Sequence, residues 1–304
     1  MTAVLTDPNR PAQAPAFQKI STARQIKNRL ATVLTGLTFL VAVIPLVWLL
    51  YTVISNGYEA LLNGDWWFKS LKGVLPEQFT GGVYHALYGS IVQALVCALI
   101  AVPIGILTAI YLVEYGNNGR FARITTFMVD ILSGVPSIVA ALFVFALWVT
   151  TFGLETSAFA VSLALVLLML PVVVRSTEEM LRLVPDELRE ASYALGVPKW
   201  KTIVKIVLPT ALSGIVTGVM LATARVMGET APVLVLVGYS RSINFDVFDG
   251  NMASLPLLIY NELLNPEPAG QLRVWGAALT LILLIMFFNL VATVISRFSA
   301  IKTK

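Results

Sequence analysis

Two residue types that build reactive sites are nearly missing from this 304-residue chain, which has one cysteine, Cys97, and one histidine, His85. A lone cysteine excludes an intramolecular disulfide, and together the two exclude a site built from several Cys or His ligands. Charge is scarce as well: Asp, Glu, Lys and Arg make up 12 % of the residues, where soluble domains carry roughly 25 %. With 57 % hydrophobic residues and a mean hydropathy of +0.82, the chain could not cover a water-facing surface of its own. No Gly-Lys dipeptide occurs, so no P-loop can cradle a nucleotide. No cluster of titratable groups forms a catalytic constellation, and an enzyme is not the expectation.

What is abundant is uninterrupted apolar sequence. A helix needs about 20 mostly apolar residues to cross the hydrocarbon core. Uncharged runs at 30–58, 86–113, 131–151, 156–174 and 274–296 meet or approach that length, and a sixth, 206–240, is broken only by Arg225 and Glu229. These runs predict an all-α integral membrane protein with six spans near 30–55, 86–113, 127–151, 156–174, 210–237 and 274–296. Pro45, Pro103, Pro136, Pro171 and Pro232 fall inside them, where neighbouring helices can satisfy the freed backbone groups. The first run is far longer than the roughly 7–15 apolar residues of a signal peptide, so no cleaved leader is expected. The boundaries read as a polar tail at 1–29, a first span with an external segment at 30–80, a core at 81–296 and a short tail at 297–304.

The net charge of +4 is explained by where the cations lie and not by nucleic acid. Sixteen of the 21 Lys and Arg residues fall on one side: in the N-terminal tail, around Arg120 and Arg123, in the 175–209 loop and at the C-terminus. Lys69, Lys72, Arg241 and Arg273 fall on the other. The positive-inside rule then places both termini and the 175–209 loop in the cytoplasm. Trp48, Tyr51, Trp148, Tyr239 and Trp275 sit near the outer span ends, as an aromatic belt does. The outer segments carry Trp66, Trp67 and an apolar stretch at 255–264 that is too short to span, which suits a helix lying at the interface.

The loop from Arg175 to Pro209 is the most informative part. It contains Glu190-Ala191-Ser192, three residues, Gly196, nine residues, Ile206, one residue, then Leu208-Pro209. The spacing predicts a short helix over 188–195, closed by Gly196 in the left-handed cap position. Pro198 then opens a second short helix, since proline suits a first turn. Such a helix–turn–helix is built to dock into a groove on another protein.

This spacing resembles the EAA loop of permeases in binding-protein-dependent ABC importers, with Ser192 replacing the second alanine. RSTEEMLRLVP at 175–185, ARVMGETAPVL at 224–234, GGVYHALYGS at 81–90 and SLPLLIY at 254–260 are similar to phosphate importer permeases of the PstA type. The resemblance covers roughly 81–296 and implies the type I (MetI-like) permease fold in a bacterial cytoplasmic membrane. It further implies pairing with a PstC-like permease, docking of the loop on a PstB-like ATPase present in two copies, and delivery of phosphate by a PstS-like binding protein. ATP and Mg would be bound by the ATPase and not by this chain.

Within the fifth run, Arg225 lies near mid-span, where a charge costs about 2.5–3.5 kcal/mol on insertion scales. The Leu, Ile and Val residues of the same run each return about 0.3–0.6 kcal/mol, so the helix is near break-even and needs protein or water beside that face. Arg225 and Glu229 are four apart, on one face if the helix is continuous. A guanidinium matches phosphate oxygens, which makes Arg225, Glu229 and, at the end of the fourth span, Arg175 the candidate path residues. A structural ion pair at the permease interface and snorkelling of Arg175 are the competing readings. Asp130 is expected at the interface, and Gly214 and Gly218 permit close helix packing. Other functions compatible with the pattern are import of sulfate, molybdate or tungstate by the same architecture. A secondary transporter or channel fits less well, since no internal repeat is recognisable.

Overall fold

The computed structural model describes residues 21–117 and 119–299. The positions 1–20 and 300–304, which include Arg10, Lys19, Lys302 and Lys304, lie outside the described residues. Two units are distinguished, Met1–Thr52 and Val53–Lys304. Helix α1 (Thr22–Leu62) begins in the first and ends in the second. The last residues assigned to the polar tail, Thr22–Arg29, are therefore helical.

After α1 come a short α2 (Gly64–Phe68) and the long α3 (Tyr84–Ile110), which a π-helical turn extends through Tyr115. Next are α4 (Arg120–Ser133) and α5 (Ser137–Phe145, extended to Thr151), followed by α6 (Ala158–Arg182) and α7 (Asp186–Ala194). A short α8 (Lys199–Thr202) runs through a π-helical turn into α9 (Leu208–Met227). The chain ends with α10 (Ala231–Leu236), α11 (Leu255–Glu262) and α12 (Pro268–Ser299). Among the described residues, five helices are long and apolar enough to cross a membrane, and the bent pair α4–α5 makes a sixth if its two arms form one broken span.

That bend corrects the third expected span. Instead of one helix over 127–151, two arms meet at 105°. The reason is local: Pro136 has no N–H to donate and disfavours the helical region for Val135, and Gly134 precedes them. Pro45, Pro103 and Pro171, by contrast, are accommodated inside continuous helices.

α6 is the hub of the second unit, buried on nearly every face. In lipid, helices associate by close packing and hydrogen bonds, because the surroundings are as apolar as the side chains. The sequence supplies the close packing through a small-residue stripe on α3 (Ala94, Cys97, Ala101, Gly105, Ala109), spaced at one helical face and buried against α6. A Cβ on Gly105 would sit 2.7 Å from Val173 Cγ1. Gly214 and Gly218 of α9 do the same on the other side of α6. A Cβ there would collide with Met180 and Ser176, so the expected close-packing step is realised.

The outer segments fold onto α3 and α12. Trp66 is buried and its Nε1 donates to Thr280 Oγ1 at 3.0 Å. Helix α11 forms where the apolar stretch was expected, but Leu255, Pro256, Leu257 and Leu258 are buried, so it plugs into the protein and is not laid at an interface. It ends at Glu262, which meets Arg273 at 3.0 Å with both side chains 2 % exposed. Arg273 also donates to the carbonyls of Gln78, Leu75 and Pro76. Of the aromatic belt, Trp48 and Tyr51 are exposed, whereas Trp148 donates to Glu155 O and Tyr239 is packed edge-on against His85.

Candidate coupling hairpin and transport path

The hairpin is α7, the Gly196 turn and α8. Gly196 has φ +74°. Its N–H donates to Tyr193 O at 2.9 Å, and the next N–H, Val197, donates to Ser192 O at 3.2 Å. That bond pair is the Schellman closure of a helix C-terminus, which calls for a left-handed residue at this position. A Cβ on Gly196 would meet nothing within 4 Å, so the constraint is purely torsional. Gly196→Val is therefore expected to strain the turn by about 1–3 kcal/mol, while Gly196→Asn, which tolerates the left-handed region, is milder. Thermal unfolding of the purified chain, with partner co-purification, measures the difference; equal behaviour of the Val variant and the parent would contradict it.

The second helix differs from expectation. Pro198 occupies its N-cap, and α8 is not a separate short helix: Lys199–Met227 is one continuous rod. Ile206 lies in the π-helical turn, and Leu208 and Pro209 open α9, all three half-buried. Ser192, the departure from the alanine pattern, is buried and shares a 2.8 Å hydrogen bond with Thr202 Oγ1 across the turn. Glu190 and Ala191 face outward.

The hairpin is clamped to the end of α3. Arg189 approaches Glu114 Oε1 at 3.1 Å, donates to the carbonyls of Val184 (2.6 Å) and Leu181 (2.9 Å), and reaches Asp186 at 3.0 Å. Glu114 is buried. Lys199 donates to the Glu114 carbonyl and lies 4.9 Å over the Tyr115 ring. Beyond the clamp, Leu195 (84 % exposed), Leu183 (72 %) and Trp200 (62 %) present apolar surface around the exposed Glu190–Ala191 edge. Exposed large apolar groups rimmed by charge mark an interaction surface. Sequence reasoning named the motif positions and missed both clamp and patch; apolar residues inside a charged loop were the available signal for the patch.

Arg175 does not end a span, because α6 continues for seven residues to Arg182. Nor does it snorkel alone. It pairs with Asp130 of α4 and with Glu178 at 2.8 Å, and Arg182 holds the other Glu178 oxygen at 2.8 Å. The chain Arg182–Glu178–Arg175–Asp130 thus braces α6 against α4. Asp130 has a defined partner and is more than an interfacial carboxylate.

The fifth span is displaced from 210–237 to Lys199–Met227. Arg225 therefore sits in the last turn of α9 and not mid-span. It is twenty residues beyond Lys205, about 30 Å of helix, toward the end remote from the hairpin. A cation there complements the helix C-terminus. Glu229 lies beyond the helix end, in the break Gly228–Thr230, so the two do not share a continuous helical face. Arg225 is exposed and has no ion-pair partner among the described residues.

Helices long and apolar enough to cross a membrane, packed around α6, define a multi-pass membrane protein. The family model described as binding-protein-dependent transport system inner membrane component matches residues 101–301. The chain is 69 % identical over 282 residues to the phosphate transport system permease protein PstA of Mycobacterium leprae, covering 93 % of this chain and 92 % of that one. It is 39 % identical over 272 residues to the protein of the same name from Yersinia pestis, with 90 % of each covered. A solved bacterial alginate ABC transporter, in complex with an alginate pentasaccharide-bound periplasmic protein, matches at TM-score 0.62 and 14 % identity over 89 % of this chain and 95 % of that one. The inward-facing MetNI methionine ABC transporter matches at 0.56 and 20 % identity over 72 % and 94 %. At those identities the structural likeness is one of fold, the MetI-like permease fold. The chain belongs to the binding-protein-dependent transport system inner membrane component family, in the group whose members are named PstA.

Proposed function

We propose that this chain is a transmembrane permease subunit of an ATP-driven inorganic phosphate importer, forming the path with a PstC-like permease. The observation that carries the reading is the hairpin. It is closed by a torsionally specified glycine, clamped to α3 through Arg189 and Glu114, and continuous with the helix whose last turn carries Arg225. A push on such a hairpin moves the α9 rod as one body, which is what coupling to an ATPase requires. In this reading Glu190, Ala191, Ser192, Gly196, Ile206, Leu208 and Pro209 form the docking element, one on each of two PstB-like ATPase subunits for the permease pair, with ATP and Mg held there.

Phosphate is the cargo favoured by the named relatives and by an exposed guanidinium in the last turn of α9, unpaired among the described residues, whose planar fork suits phosphate oxygens. Arg225 serves as a path cation and Glu229, in the helix break, as an acceptor for a protonated phosphate oxygen. Arg175, engaged by two carboxylates in this structure, can take an anion only after exchanging one of them. The test is uptake of labelled phosphate by membranes holding the PstC-, PstB- and PstS-like partners, with and without ATP. Competition by sulfate, molybdate or tungstate in place of phosphate would reassign the cargo, and uptake independent of ATP would remove the importer reading.

The same reading puts the hairpin and both termini in the cytoplasm of a bacterial plasma membrane. Cys97 is fully buried and so silent to aqueous thiol reagents. Cysteines placed at Phe248 (67 % exposed) and Leu195 (84 % exposed) are expected to react from opposite faces, Phe248→Cys from outside and Leu195→Cys only after permeabilisation. Labelling of both from one side would break the six-crossing topology.

A further inference from the structure

Where α9 breaks, the core holds a narrow polar cavity of about 10 Å³. Its polar lining comes from Ser90 and Gln93 of α3, Glu229 at the break and Ser254 before α11. Ser90 and Ser254 are already used, accepting from the N–H groups of Leu255 (2.8 Å) and Leu257 (3.4 Å) at the start of α11. Gln93 is different. Its side chain is 2 % exposed, yet its Nε2 has no hydrogen-bond partner. The hydroxyl of Ser162 reaches the backbone carbonyl of Gln93 at 3.3 Å, as well as that of Ala158 at 2.9 Å. A buried amide donor left unpaired is costly, and each instance calls for an explanation in function or in a bound group.

The sequence makes the placement specific. Gln93 interrupts the small apolar stripe of α3, where Ala94, Cys97 and Ala101 pack against α6, so close packing alone would be served by a small or apolar residue. Its cavity is shared with Glu229, the one carboxylate lining it. Arg225 precedes that residue by four positions, in the last turn of α9 before the break. An amide N–H donor and an acceptor-only carboxylate lining one cavity are the pair that a singly protonated tetrahedral oxyanion satisfies, through one unprotonated oxygen and one hydroxyl. A fully deprotonated oxyanion offers no proton to the carboxylate.

We propose that Gln93 is a specificity-determining residue of the transport path, acting with Glu229 on a hydrogen phosphate-type anion. Gln93 Nε2 donates to a bare oxygen and Glu229 accepts from the hydroxyl, so the pair selects the protonated oxyanion. The cavity holds about one water, so the proposal requires it to widen when the anion passes. The inference rests on the phosphate-import reading above.

The test uses the complete importer with its ATPase and binding protein. Labelled phosphate uptake is normalised to assembled complex and compared in the parent, Gln93→Leu, Gln93→Met and Gln93→Glu. The two apolar replacements fill similar volume without the donor and are expected to lower uptake at least about tenfold with assembly retained. Gln93→Glu replaces the amide donor by a second acceptor beside Glu229, so its uptake is expected to fall at least as far as that of the apolar variants. Uptake within twofold of the parent in both apolar variants, with only thermal stability changed, would mean that the amide merely orders a water and would overturn the proposal. Uptake by Gln93→Glu at the parental level would overturn it too. A parent complex that imports no phosphate would instead fell the functional reading beneath it, a result that the variants do not influence.

Discussion

Arg225→Gln is expected to abolish most phosphate uptake, on the order of 100-fold, while leaving the chain folded and assembled. The two halves of that expectation have separate grounds. Stability should survive because Arg225 is exposed at the end of α9 and forms no ion pair among the described residues, so its removal strands no buried partner. Transport should fail because an anion crossing a low-dielectric region loses its compensating cation, and removing one preorganised charge-stabilising donor typically costs 100- to 1,000-fold, to order of magnitude. Arg225→Lys keeps the charge and loses the planar fork, so an intermediate loss of about tenfold is expected. The competing role is bracing against the second permease. Under that role the damage tracks an unpaired charge, and Arg225→Gln combined with Glu229→Gln should recover activity, because a neutral pair is cheaper than a lone buried ion. Uptake per assembled complex in the four proteins decides it. Rescue by the double variant would falsify the path role.

The second large effect concerns the hairpin clamp. Arg189→Ala leaves Glu114 as a buried carboxylate without its guanidinium and frees the carbonyls of Leu181 and Val184. Breaking a buried pair from one side costs about 3–5 kcal/mol. The expected result is a hairpin detached from α3, lower thermal stability and loss of ATPase co-purification. Glu114→Gln removes the charge and keeps an oxygen acceptor, so a smaller loss of both is expected. The combination Arg189→Met with Glu114→Leu replaces the pair by apolar groups and should regain stability, since such exchanges are often neutral or better. Co-purification of the ATPase with Arg189→Ala at parental yield would show that the clamp does not hold the docking surface.

These two residues also show where sequence reasoning stops. Arg189 is an ordinary basic residue in a charged loop, and Glu114 sits 75 positions away at the end of another helix. Nothing in spacing or composition links them until α3 and α7 are placed side by side. The same holds for Arg273 and Glu262, which sit among outer-segment residues with no periodic signal and form a fully buried pair. From sequence Arg175 reads as a path residue or a snorkelling cation and Asp130 as interfacial, because their distance in sequence, 45 residues, hides the packing of α4 on α6. Ion pairs between elements are tertiary facts.

The break after α9 teaches a different point. Apolar composition runs on past Met227 through Val237, so hydropathy alone extends the span to 237 and makes Arg225 and Glu229 helical neighbours. The structure ends the helix at Gly228 and restarts it at Ala231, consistent with Pro232 in the first turn of α10. That local signal was present in the Gly228–Pro232 stretch, but proline is tolerated inside α1, α3 and α6. Which prolines break a helix depends on whether neighbours can satisfy the freed carbonyls, and that is settled by packing.

By itself the sequence determined that this is a helical membrane protein, where its crossings fall to within a turn or two in most cases, and that one loop carries a glycine-capped hairpin. Those properties are written in local quantities: hydropathy summed over about 20 residues and a torsional requirement at a single position. Only the tertiary structure decided which charges are paired, that α8 and α9 form one rod ending at Met227, and that Gln93 and Glu229 share a cavity. The physical reason is that electrostatics and packing act through space at a few ångströms. The chain brings residues 93 and 229 together only by folding three helices around α6.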